Sequence, residues 1–345
     1  MSGRLGTTIK IGLGLVVSAV CLWLAMSQAP IAELADVLGQ INYWWLVPAS
    51  LINLISMWGR GCRWRALLAN QGTRMEYFWA QSVGNLLTNV FPLRAGEAGR
   101  VIIVSRRIGI PLVQVGASLV LERAVDLAFV LGLLAVLLLI MDVPWAIAAT
   151  GLGLAGALAV ALIGLVLLLF MGQKLTGLVE SIAKRLPARL AHFVVDSWGH
   201  VLVSLEPLRD LRAMASVVGW TAVIWGTFIA AFWMSIEAVV PGGSLLEASF
   251  AQTAVALGVA LPSSPGFIGV FQLVGQMALV TPFPDRYTPA TALMVALLNH
   301  GVGYLSTTVL GVLGLARLGM SLRTVRGKDD AAAPAPLPPR TETSA

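Results

Sequence analysis

The chain has 345 residues, 57% of them hydrophobic and 12% charged, with a net charge of +6 and a mean hydropathy of +0.84. Several apolar runs reach the ~20 residues that a spanning helix needs, which points to an all-α polytopic membrane protein and excludes a closed strand barrel. The basic residues fall between apolar runs, a pattern that orients membrane helices and does not point to nucleic acid. Cys21 and Cys62 cannot build a disulfide framework, and His192, His200 and His300 share no ligand spacing. No metal or cofactor is therefore expected.

Residues 9–26 read as the first span, with Arg4 and Lys10 before it and Glu33 and Asp36 after it. This charge order predicts a cytoplasmic N-terminus. Its S-Q-A-P ending is a poor cleavage site, so the segment is expected to be retained. The second span starts at residues 44–58 and continues towards Leu68, with Arg60, Arg63, Arg65 and Arg74 expected to mark the cytoplasmic side.

Residues 77–91 are too short and too polar to face lipid alone; Pro92 and then Arg94, Arg100, Arg106 and Arg107 follow, with a basic loop expected after Arg100. A re-entrant hairpin entered from the cytoplasm, with its tip near Pro92, Gly96 and Gly99, reconciles those facts. Residues 111–140 and 145–171 are the third and fourth spans. Residues 173–212 read as two amphipathic helices broken near Pro187 on the inner membrane face. The fifth span covers 213–235. Residues 249–261 and 266–280, joined through P-S-S-P-G, read as a second hairpin entered from outside. Residues 289–316 form the sixth span, and Arg317, Arg323, Arg326 and Lys328 place the C-terminus inside.

The expected architecture is one membrane domain over residues 1–328, of about six spans and two re-entrant hairpins in an inverted repeat. Its halves are about 5–142 and 143–320, and residues 329–345 form a Pro/Ala-rich disordered tail. Both hairpins carry A-Q-S/T followed by P-x-x-x-G-x-x-G: Pro92, Gly96 and Gly99 in the first, Pro262, Gly266 and Gly269 in the second.

Arg94, Glu97, Arg100, Glu122, Arg123 and Asp126 are ionisable groups in or beside apolar segments. A charge facing lipid near the bilayer centre costs about 2.5–3.5 kcal/mol, so these groups must pair, reach water or line a cavity. Arg94 suits a phosphate. Ser263, Ser264 and the backbone near Pro265 offer the second tip polar contacts without charge. On the last span Asn299, His300 and Tyr304 lie together. Binding and plain internal pairing both stay open for these groups.

N-x-x-P-x-R-x-G-E-x-x-R (Asn89 to Arg100), E-R-x-x-D (Glu122 to Asp126), P-S-S-P-G-x-I-G-x-F (Pro262 to Phe271) and H-x-x-x-Y (His300 to Tyr304) resemble the lysylphosphatidylglycerol synthase transmembrane, flippase-like family. That family includes the flippase domains of multiple peptide resistance factors. The resemblance covers about residues 5–320 and implies a lipid-translocating fold in the bacterial cytoplasmic membrane. Gln272 stands where the family often has a glutamate, and the soluble synthase domain of the bifunctional relatives is not in this sequence.

The expected activity is therefore movement of an anionic or zwitterionic phospholipid, glycolipid, polyprenyl-phosphate lipid or hopanoid-like lipid between leaflets, with no enzymatic step. Glu97, Glu122 and Asp126 would balance the arginines or receive a cationic headgroup. A solute or ion transporter of the same architecture, a lipid-headgroup enzyme and an envelope-synthesis scaffold are the alternatives. A second copy of the chain and envelope-synthesis enzymes are the further partners considered.

Overall fold

The computed structural model describes residues 2–91, 95–141, 145–260 and 264–320, and every regular element in them is helical. The long elements are α1 (Ser2–Ser27), α2 (Ile31–Gln40), α3 (Leu46–Leu67), α4 (Arg74–Val90), α5 (Ala95–Ile108) and α6 (Leu112–Ile140). They continue with α7 (Trp145–Ala183), α8 (Ala188–Leu205), α9 (Leu211–Val239), α10 (Leu245–Gly258), α11 (Val270–Val280) and α12 (Pro289–Leu318). Pro92, Arg94, Pro262, Ser263 and the tail lie outside the described residues. Among those described, α6, α9 and α12 are long and apolar enough to cross a membrane. α1 and α2, bent by 80° at their junction, make a fourth if counted as one span.

Three expectations are corrected. The basic stretch after Arg100 continues a helix, α5, and is not a loop; its run from Val101 to Val104 buries an apolar side that a loop would leave in water. The first amphipathic segment after residue 173 is not a separate helix, because α7 runs unbroken for 39 residues to Ala183. At 1.5 Å per residue that is about 58 Å, well beyond a ~30 Å hydrocarbon core. The break near Pro187 is present, with that proline opening α8 as its N-cap. Finally, α2 was not foreseen, since only its two acidic residues were read there.

The first helix of each pair opens on the same device. The Thr73 hydroxyl accepts from the Glu76 N–H while the Glu76 carboxylate accepts from the Thr73 N–H, and Ser244 with Glu247 does likewise at α10. One offset separates Thr73 from Ser244, Glu76 from Glu247 and Gln81 from Gln252. α4 packs on α5, and α10 on α11, as two helical hairpins. Each hairpin also crosses to the other half: α4 lies against α12, and α10 against α6. The extensive contact between α3 and α9 forms the spine between the halves.

Small residues set these approaches. A Cβ on Gly96 would lie 1.8 Å from the Gly84 carbonyl oxygen, so α5 meets α4 backbone to backbone. Gly311 admits Leu86 of α4 in the same way, its would-be Cβ 2.3 Å from the Leu86 Cβ. At the second tip Gly269 has φ 92° and its backbone crosses α1, where an added Cβ would lie 2.1 Å from the Ser18 oxygen. The Ser264 N–H donates to Ser18 Oγ at 2.9 Å, tying that tip to α1.

At the other end of α10, Tyr287 Oη donates to Glu247 Oε2 at 2.6 Å, and Arg286 Nε stands 3.5 Å from the same oxygen. Burial first, and the Glu247 contact second, push the Tyr287 phenol up, so it keeps the proton this bond requires.

Gly96→Ala should lower the thermal unfolding midpoint in detergent or abolish recovery of monodisperse protein, because overpacking outweighs the helix propensity gained. Gly116→Ala, on α6 with nothing within 4 Å of its would-be Cβ, should leave the midpoint unchanged or raise it. Equal midpoints for the two variants would remove the close approach of α4 and α5.

Candidate functional site

The ion network is built on α6. Glu122 and Asp126 are one turn apart and share a face, so both carboxylates point at the same neighbours. Arg63 of α3 grips Asp126 with a two-pronged contact, Nη1 to Oδ1 at 2.5 Å and Nη2 to Oδ2 at 3.0 Å. Its Nη1 also donates to Thr221 Oγ1 at 3.2 Å, and its Nη2 to Glu122 Oε1 at 3.3 Å. The Trp225 indole N–H donates to Asp126 Oδ1 at 3.4 Å.

Glu122 is fully buried and gathers three guanidiniums. Arg123 Nη2 stands 3.0 Å from Oε1, beside the Arg63 contact. Arg100 of α5 lies 3.2 Å from Oε2, donates to the Gln81 side-chain oxygen and rests 4.8 Å over the Trp64 ring. Arg100 Nη2 is buried and has no hydrogen-bond partner among the described residues. Arg60, one turn before Arg63, makes no hydrogen bond or ion pair among them either.

Beside this network lies a cavity of about 560 Å³, within the size range of small-molecule sites. Arg60, Arg63, Glu97, Arg100, Arg123 and Asp126 line it, and all six come from α3, α5 and α6. α4 and α9–α12 contribute uncharged groups: amides of Asn85, Asn89, Gln252 and Asn299, the Tyr304 phenol, and the faces of Trp225, Phe228 and Phe271. The second hairpin's tip reaches this wall, where Gly266 at φ 66° sits against the Tyr304 ring and Tyr304 Oη donates to the Asn89 carbonyl at 3.2 Å. Phe267 shares the left-handed conformation at φ 61°, a strained state for a side-chain-bearing residue.

Of the residues singled out from sequence, Gly96, Glu97, Arg100, Arg123, Asp126, Gly266, Asn299, His300 and Tyr304 come together around this cavity. Glu122 stands behind it as the brace of three arginines. Gly99 is buried on α5. Ser264, Pro265 and Gly269 belong to the turn against α1, and the Ser264 hydroxyl donates to the Ile268 carbonyl at 3.1 Å. Arg94, Pro92, Pro262 and Ser263 lie outside the described residues. His300 stacks on Phe271 at 4.4 Å, and its Nδ1 is 2.8 Å from Gln272 Nε2. Gln272 Oε1 in turn accepts from the Gly269 N–H at 2.7 Å. Gln272 therefore links the tip to α12 as a neutral amide.

The largest correction concerns Arg60 and Arg63, which the sequence reading takes only as markers of the cytoplasmic side and not as part of the site. Arg63 is 1% exposed and is the principal partner of Asp126, and Arg60 faces the cavity. The available signal was their position. They continue the apolar run of α3 at i, i+3, so both share the face that Ser56 and Gly59 bury.

A model of the lysylphosphatidylglycerol synthase transmembrane region matches residues 11–311. Among curated proteins the chain is similar to the glycosyltransferase AglD of Haloferax volcanii, at 28% identity over 93% of the chain. The chain spans about half that relative's length, 56%. No solved structure matches it. With that match over most of its length, and with its long apolar helices, the chain is a multi-pass membrane protein belonging to the family of the lysylphosphatidylglycerol synthase transmembrane region.

Proposed function

We propose that this protein moves an anionic or zwitterionic lipid between the leaflets of the bacterial cytoplasmic membrane, receiving the headgroup in the arginine-lined cavity and leaving the lipid chemically unchanged. The observation that carries this reading is the charge on the cavity wall. Arg60, Arg63, Arg100 and Arg123 meet Glu97, Glu122 and Asp126 on or just behind it, which leaves one guanidinium in excess among the described residues. Arg60 without an ion pair and Arg100 Nη2 without an acceptor are the donors that a phosphate would satisfy. A buried donor left unpaired costs about 1–3 kcal/mol, and an arriving anion removes that penalty.

The two hairpins act as re-entrant elements of an inverted repeat in this reading, with both termini cytoplasmic. The matching capping boxes and the exchange of hairpins between halves support it. Substrate sites in such repeats form near the midplane between discontinuous helices, where rocking of one half exposes them to either side. The name of the relative from Haloferax volcanii favours a sugar-bearing lipid among the possible cargoes.

In liposomes, the purified protein should carry labelled phospholipid from the inner to the outer leaflet without altering its mass. Arg60→Gln should slow that movement about tenfold or more while leaving the unfolding midpoint in place, since Arg60 braces nothing. Wild-type rates in a folded Arg60→Gln variant would remove the cavity from the transport route. Glu122→Gln should behave differently. It leaves three guanidiniums without their shared carboxylate and should destabilise the fold by about 3–5 kcal/mol, read as a lower unfolding midpoint. For topology, a cysteine replacing Arg107 should react only from the cytoplasm and one replacing Asp285 only from outside; labelling of both from one side ends the inverted-repeat reading.

A further inference from the structure

The charged and uncharged walls of the cavity read as two subsites, and together they narrow the headgroup. Two of the three carboxylates near the cavity are answered by arginines. Glu122 has three and Asp126 is held by both prongs of Arg63, whereas Glu97 lines the cavity with no ion pair among the described residues. A cationic headgroup entering here would meet a wall with one guanidinium in excess and a single carboxylate, Glu97, outside an ion pair.

The uncharged wall has unspent hydrogen-bonding capacity. Gln252 makes no hydrogen bond among the described residues, although it lines the cavity with both a carbonyl and an amide. Asn299 uses only its amide, towards Ser235 Oγ at 3.4 Å, and Asn89 likewise donates to Thr307 and Thr308 at 3.1 and 3.0 Å. Their side-chain oxygens remain as acceptors. Acceptors without charge suit hydroxyl groups, which both donate and accept. Flat apolar faces from Trp225, Phe228 and Phe271 border the same space and can cover the C–H faces of a ring.

Resting on the proposed translocation of a lipid through this cavity, we infer that the headgroup is a phosphate ester or diester carrying an uncharged polyol or sugar. The phosphate sits on Arg60 and Arg100, and the hydroxyls sit on Gln252, Asn299 and Asn89.

The test uses the full chain in liposomes with three fluorescent lipids of identical tails: phosphatidylinositol, phosphatidic acid and phosphatidylethanolamine. Phosphatidylinositol should cross about tenfold faster than either of the others, because a site built to bond hydroxyls discriminates against headgroups lacking them. Replacing Gln252 and Asn299 together by leucine should bring the ratio of phosphatidylinositol to phosphatidic acid close to one. Equal rates for those two lipids in the unsubstituted protein, or fastest movement of phosphatidylethanolamine, would overturn the headgroup assignment while translocation stands. An unchanged ratio in the folded double variant would overturn it as well.

If no lipid crosses, translocation itself fails, and the headgroup assignment is read from binding. Inositol 1-phosphate should then raise the unfolding midpoint of the detergent-solubilised protein more than inorganic phosphate or phosphoethanolamine does. Equal shifts would overturn it.

Discussion

Three guanidiniums, those of Arg63, Arg100 and Arg123, need counter-charges inside an apolar helical bundle, and Glu122 with Asp126 supplies them. Removing such charges from water costs several kcal/mol each, offset only by close geometry and by hydrogen bonds for the remaining atoms. Asp126 meets the condition through the two-pronged grip of Arg63, supported by Thr221 and the Trp225 indole. Glu122 meets it by serving three arginines from three helices at once. The network therefore ties α3, α5 and α6 together by charge, where apolar packing alone would leave their relative rotation loosely set.

Tying three helices in this way also decides which atoms remain for a ligand. The arginines spend most of their donors backwards, on the carboxylates, and present what is left to the cavity. Arg100 shows the division within one side chain: Nη1 is spent on Gln81 and Glu122, whereas Nη2 has no partner among the described residues. Arg60 makes no hydrogen bond or ion pair among the described residues. Stability and recognition thus draw on opposite ends of the same groups, which is why bracing Glu122 and cavity-facing Arg60 are expected to differ under substitution.

The second half adds shape and neutrality. Gly266 and Gly269 adopt backbone conformations with positive φ, letting the turn press against Tyr304 on one side and α1 on the other. Gln272 reinforces the turn from within, joining the Gly269 N–H to His300. Because these links are uncharged, the half of the cavity they border has no fixed charge to set against the arginines. The asymmetry between the halves is a property of side chains, laid over hairpins whose capping and packing correspond.

The sequence alone determined the helical membrane class, the approximate place of most long helices and the two interrupted pairs. Hydropathy, proline and glycine are local signals, and each acts within a turn or two of where it is read. The same signals marked Glu122, Arg123 and Asp126, because charge inside an apolar run is conspicuous without any knowledge of neighbours. Arg60 and Arg63 were misplaced for the converse reason: arginine at the end of an apolar run looks like a membrane boundary until the partner across the bundle is known. Only the tertiary structure decided that Arg63 belongs to Asp126, that Glu122 stands behind the cavity, and that Gln252 lines it. Those facts depend on how α3, α6 and α10 are rotated against one another, and rotation is fixed by contacts between residues far apart in the chain.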